Sequence, residues 1–280
     1  MDTLPVKEPP ADAGAPKTFF IFPNPTLITE TFLEAAFLSG FECYSIPGIL
    51  GADYQQIVET LLNTYQMSVL FFFLDKDEKS DYLVSFLGRI QKKYAETTRL
   101  GVFYAKPAAK PQEQAIQRSF LLDIGIEAGC VPLENSVEGN HTRILDVLAA
   151  NEVAGRRKAI RMTNESNFSA HIVIDDVLVE IPMLDLSVSH FTIQLKSEDP
   201  GWEVGKKLNP IKLNLGDVTL SVRAIISLKR FVQGRPVFVF RFRSETNRDE
   251  LVNSVVNKVI YKYYQKRTLD YLKERLKNGQ

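Results

Sequence analysis

Between residues 18 and 153 short apolar runs alternate with longer amphipathic stretches. Phe19–Phe22, Phe41–Ile46, Ser68–Leu74, Leu100–Tyr104 and Ala128–Leu133 are apolar almost throughout, the pattern of strands buried on both faces. Pro25–Ser39, Asp53–Tyr65, Asp81–Tyr94, Pro111–Leu122 and Asn140–Asn151 lie between and after them, with apolar residues at helical spacing such as Ile57, Leu61 and Leu62. Five strand–helix units in succession predict a flavodoxin-like, doubly wound parallel sheet covered on both faces.

After residue 153 the apolar period falls to two. Ala170–Ile174 and Val177–Ile181 flank Asp175-Asp176, a workable hairpin turn. Phe191–Leu195, Ile211–Leu215, Val218–Ile226 and Val237–Phe242 follow, joined by Gly216-Asp217 and by a loop with Gly234 and Pro236. Six short strands without intervening helices predict a six-stranded antiparallel β-barrel, because closure removes exposed edges. From Asn247 the pattern turns helical, with Leu251, Val255, Val259 and Tyr263 stepping by four and Leu269, Leu272 and Leu276 closing it. One face of this C-terminal helix is expected to pack on the barrel. Lys258, Lys262, Lys266 and Arg267 form a solvated basic face that suits the end of a helix dipole.

Composition narrows the function. A chain of 280 residues accommodates two cores; the expected division is a leader over 1–17, an α/β domain over 18–153 and a barrel domain over 154–280. Lys plus Arg and Asp plus Glu number 34 each, so no whole-molecule field draws the protein onto a nucleic acid polymer, and any anion site is local. Cys43 and Cys130 are isolated in apolar sequence, which predicts buried free thiols in a reducing compartment. His141, His171 and His190 form no short-spaced pair, so no metal site is expected. The leader is proline-rich rather than a signal peptide, and the most apolar stretch, Met67–Leu74, is too short to span a bilayer. A cytoplasmic protein is expected.

The α/β half resembles a response-regulator receiver domain in size and element order. Receiver chemistry implies acidic residues after the first strand, an acceptor aspartate after the third, a hydroxyl residue after the fourth and a lysine after the fifth. Here Pro23, Asn24 and Pro25 follow the first strand, Tyr104 and Ala105 end the fourth, and Cys130, Val131 and Pro132 fill the fifth. Asp75 alone stands where an acceptor would, without carboxylates to hold a divalent ion. No GxGxxG or GxxxxGK[ST] loop offers a phosphate cradle. This half reads as a pseudo-receiver used for contacts.

At the junction stand Gly155, Arg156, Arg157, Lys158, Ala159, Ile160 and Arg161. Guanidinium groups bind phosphate bidentately and also reach guanine O6 and N7; a charged linker has the same composition. Asp185-Leu186-Ser187-Val188-Ser189-His190 follows the second barrel strand. An aspartate there can accept from guanine N1–H and N2–H₂, and a serine can bond phosphate or backbone; the segment also reads as a capped turn.

RxxxR at a barrel entrance followed by DxSxx resembles the PilZ domain, a family of cyclic di-GMP receptors, from Gly155 to the C-terminus. The resemblance implies a non-enzymatic effector with no cofactor, binding cyclic di-GMP and an unidentified protein partner. Arg157 and Arg161 match the two ligand-clasping arginines, Arg156 the frequent preceding one, and Asp185 and Ser187 the first and third positions of the second motif. His190 stands where the family has glycine. A histidine there either weakens or blocks binding or adds a stacking surface for guanine. The alternative is a degenerate PilZ scaffold that binds protein partners without nucleotide.

Overall fold

The computed structural model describes residues 16–48, 52–65, 67–74, 80–151, 160–163, 167–196, 198–243 and 247–278. Arg156, Arg157, Asp75, most of the leader and the 153/154 boundary lie outside them.

The α/β unit carries β1 (Lys17–Ile21), α1 (Glu30–Leu38), β2 (Cys43–Ile46), α2 (Tyr54–Thr64), β3 (Ser68–Leu74), α3 (Ser80–Tyr94), β4 (Thr98–Ala105), α4 (Lys110–Gln117), β5 (Gly129–Leu133) and α5 (Val137–Ala150). The five strands form one parallel sheet in the order β2-β1-β3-β4-β5. Its centre is aromatic: Phe19, Phe20, Phe71, Phe72 and Phe103 are fully buried, and the Phe71 and Phe103 rings stand 4.8 Å apart. Cys43 and Cys130 are free and buried; burial pushes the Cys130 thiol up to about 12.

Side-chain caps set the helix starts where periodicity alone could not. Asn24 Oδ1 accepts from the Thr26 amide and hydroxyl, and Thr29 Oγ1 accepts from Phe32 N, so α1 begins at Glu30 rather than Pro25. Asp53 and Gln56 form a reciprocal capping box on α2. Ser136 caps α5, which therefore starts at Val137, ahead of the predicted Asn140. The predicted helix to Leu122 is α-helical only to Gln117; a π-helical segment, Arg118–Ile124, follows and ends at Gly125 with φ 76°. It leaves Leu121 and Leu122 exposed.

The second unit is the barrel: β6 (Arg161–Thr163), β7 (Phe168–Ile174), β8 (Val177–Ser187), β9 (His190–Gln194), β10 (Lys207–Leu215), β11 (Val218–Val232) and β12 (Arg235–Phe242). Antiparallel pairing runs β8-β7-β10-β11-β12-β9 and returns to β8, closing six strands, while β6 adds to β8. Both Asp175 and Asp176 have positive φ, 48° and 64°, as does the Gln233-Gly234 pair, the conformation of two-residue hairpin turns whose twist matches the strands. Phe191, Ile193, Leu213, Phe238 and Phe240 fill the interior, and Trp202 from the β9–β10 loop packs on Phe238 and Phe240.

The chain ends in the expected helix, α6 (Asn247–Lys277). Compact units form from Ala159–Tyr263 and from the α/β elements together with Tyr264–Gln280. The last turns belong to the compact unit of the α/β elements. Tyr264 meets Phe37, and Gln265 lies along the open edge of β2, accepting from Ser45 N at 3.1 Å and donating to Ser45 O at 2.6 Å. The buried stripe runs through Val256, Ile260, Tyr264, Thr268 and Leu272, one position beyond the predicted Val255, Val259 and Tyr263.

Gly101 on β4 faces Phe71 on β3. A Cβ there would lie 2.4 Å from Phe71 Cε1, inside a sheet that cannot yield. Gly101→Ala is expected to destabilise the protein by about 1–3 kcal/mol, read from urea unfolding. Phe71→Leu in the same chain should return part of the loss, a coupling that two independent defects would not show.

Candidate functional site

The second motif begins on β8, which runs on to Ser187, and its last residue, His190, opens β9. The last residues of β8 are held on both sides: Met162 and Thr163 of β6 pair with Leu186 and Asp185, while Phe191 and Thr192 of β9 pair with the same two residues from the opposite edge. Arg161 of the first motif pairs with Ser187 of the second. Two segments separated in sequence are therefore neighbours on one sheet.

Strand alternation fixes which way these residues point. Met162, Leu186, Phe191, Phe240 and Phe242 are buried in the barrel, so Arg161, Ser187, His190 and Arg241 project from the other face. The register between Met183 and Asp185 is shifted by a bulge on β8. Without it, Asp185 would point inward two positions after buried Met183; the extra residue turns it outward and returns Leu186 to the core.

Ser187 is 2% exposed. Its hydroxyl accepts from His190 N and donates to His190 O, both at 3.1 Å. The serine thus closes the Ser187–His190 turn and pins His190 to the start of β9. Of the two partners expected for this hydroxyl, phosphate or backbone, the structure shows the backbone one.

His190 is half-buried, with Nδ1 at 2.8 Å from Ser189 Oγ. It is not among the residues with positive φ. The backbone therefore does not require glycine here, and what histidine changes is the space and charge above the strand. Burial first, then the positive charges of Arg161 and Arg241, hold its pKa below the ordinary histidine value; Asp185 pulls the other way. The ring is a flat polar surface with Arg161, Arg241 and Asp185 as its charged neighbours.

Arg241 is the residue that the motifs do not contain. It pairs with His190 across β9 and β12 and is exposed. Its sequence signal is the alternation Phe238, Phe240, Phe242, which turns Arg241 outward, but the pairing of β12 with β9 is needed to place it. Arg223 and Arg243 extend the strip, joined by Arg243 N donating to Arg223 O at 3.0 Å. A planar, phosphate-bearing ligand could meet guanidinium groups at both ends of this face, with Asp185 as acceptor between them.

No protein-family profile matches the chain, and no curated protein matches it. Among solved structures it is similar to the PilZ domain of YcgR from Escherichia coli with c-di-GMP, at 17% identity and TM-score 0.32, covering 40% of this chain and 96% of that one. It is also similar to YcgR from Escherichia coli in complex with c-di-GMP, at 16% identity and TM-score 0.35, covering 45% of this chain and 52% of that one. The K. pneumonia MrkH–c-di-GMP complex matches at 11% identity and TM-score 0.35, covering 41% of this chain and 57% of that one. The match thus spans about half of these last two chains.

The charge arrangement makes a signed prediction. Arg241→Ala removes a neighbour that depresses the His190 pKa and should raise its midpoint; Asp185→Asn removes the neighbour that supports the imidazolium and should lower it. NMR titration of the His190 ring checks both. Two shifts of the same sign would separate these residues from the histidine.

Proposed function

We propose that the chain is a cyclic di-GMP-binding effector whose ligand lies on the outer barrel face from Arg161 to Arg241. The observation that carries this reading is the β6–β8 pairing, which puts Arg161 opposite Ser187. Two motifs that resemble the PilZ signature thereby share one surface, with His190 and Arg241 continuing it.

Arg161 and Arg241 present planar donors to phosphate or to the O6/N7 edge of guanine, and Asp185 accepts from the N1–H and N2–H₂ edge. His190 offers a stacking face. Arg156 and Arg157 are assigned by the motif resemblance, as the remaining clasp. They lie in sequence between the α/β and barrel elements, so ligand contacts there alter how the connection is ordered. A ligand shifts such an equilibrium only by its difference in affinity for the two states. The α/β unit, read as a flavodoxin-like pseudo-receiver, then carries the change to a protein partner in the cytoplasm. The scaffold reading draws on the His190 ring and the committed Ser187 hydroxyl; His190→Gly discriminates, since it restores binding only if the ring obstructs the site.

Isothermal titration of purified protein with cyclic di-GMP is the direct test, and no heat at high micromolar ligand would overturn the reading. Arg161→Ala should weaken binding by about ten- to a hundredfold, equivalent to about 1.5–3 kcal/mol, with little change in Tm; lysine should recover only part. Binding also has a proton sign. An anion beside His190 raises its pKa from the lowered value of the free protein, so affinity is greatest below the free pKa and falls as pH rises through the bound one. His190→Gly should flatten that dependence.

A further inference from the structure

Two hairpins project from one end of the barrel. β7 and β11 each run antiparallel to β10, so they run parallel to each other, and their turns, Asp175-Asp176 and Gln233-Gly234, lie at the same end. β10 meets β7 only from Phe168 to His171, and β9 meets β8 only from Met183 onward. Residues 172–179 therefore form a ribbon of two strands paired with each other alone. β10 pairs with β11 no further than Ile225, and residues 228–232 pair with β12 alone.

A two-stranded ribbon has no second layer to cover its faces, and both ribbons carry apolar side chains into solvent. Val173, Val177 and Leu178 are more than half exposed on the first; Phe231 is so on the second, with Leu228 and Val232 exposed beside it. Residues paired across a ribbon share a face. Val173 stands opposite Leu178, on the face that carries Glu180 two positions on. On the second ribbon Val232 stands opposite Arg235, and Leu228 and Arg230 share that face.

The two ribbons carry charges of opposite sign. Asp175, Asp176 and Glu180 belong to the first, Arg230 and Arg235 to the second, and all five are exposed. Among the described residues, neither aspartate and neither arginine makes an ion pair. The loop from β9 to β10 returns at this end, but its Asp199 and Glu203 hold Lys229, at 2.7 and 3.4 Å, and not the arginines. An anionic membrane would attract the basic ribbon and repel the acidic one at the same end. A copy of the same end suits both. About a two-fold axis residue i meets j while j meets i, so each acidic ribbon faces the other copy's basic ribbon and the apolar side chains of both are covered together.

We propose that this end of the barrel is a self-association surface, on which two copies of the chain meet as a two-fold dimer, the Asp175-Asp176 ribbon of each against the Arg230-Arg235 ribbon of the other. The Ser187–His190 turn lies at the opposite end of β8 and β9, so the dimer forms without nucleotide.

Light scattering on the full chain tests this. At about 100 µM chain and low salt, where a dimer with a Kd of about 10 µM is mostly formed, the mass should be that of two chains, and it should fall toward one as salt rises. Arg230→Glu with Arg235→Glu should weaken the dimer by about tenfold or more. So should Glu180→Lys with Asp175→Asn and Asp176→Gly, which keeps a turn sequence suited to positive φ. An equimolar mixture of the two variants should restore the dimer, because one then has two acidic ribbons and the other two basic ones. A monomeric native chain, including one captured by anionic lipid vesicles instead, would overturn the proposal. So would an assembly larger than two, a dimer indifferent to either set of substitutions in folded protein, or a mixture that stays monomeric.

Discussion

The barrel depends on the pairing of β8 with β9. That contact closes the sheet, so none of the six strands is left as an unprotected edge along its paired length. It also sandwiches the end of β8 between β6 and β9, and this places Arg161, Asp185 and His190 on one surface. Fold closure and the grouping of these side chains are the same event. The bulge before Asp185 is the local adjustment that lets both happen, since it reverses side-chain direction without breaking the pairing on either side.

Much of this was legible in the sequence because it rests on period and local chemistry. The six barrel strands announced themselves by alternation, as in Phe191, Ile193 and Leu195, and the five parallel strands by continuous apolar runs such as Ser68–Leu74. The motif residues Arg161, Asp185 and Ser187 were visible as types at spacings. Non-local facts were not visible. The three-residue β6 has too few positions to show a period, and Arg241 joins the site only through a register set by the whole barrel. Ser187 read as a partner of either phosphate or backbone because a hydroxyl does not declare which it will take, and its bonds to the Ser187–His190 turn depend on where β9 begins. In α6 the expected stripe was one residue early at Val255, Val259 and Tyr263 but right at Leu272, because Val255, Val256, Val259 and Ile260 are all apolar and the pattern alone does not choose between neighbouring faces.

The two units solve the problem of polar groups differently. In the α/β unit the polar residues sit at strand ends, where Asn24, Asn140 and Ser136 turn the backbone and leave an aromatic interior untouched. In the barrel they occupy the outer face of the strands themselves, so a charged row can run across the sheet while phenylalanines fill the inside.

Gln265 has a consequence for the life of the chain before it is complete. Its primary amide presents one donor and one acceptor to Ser45, the same pair that a neighbouring strand would offer. During synthesis, β2 emerges long before the residue that shields it. Until then its outer edge carries unpaired backbone donors and acceptors of the kind that an extended peptide can pair with.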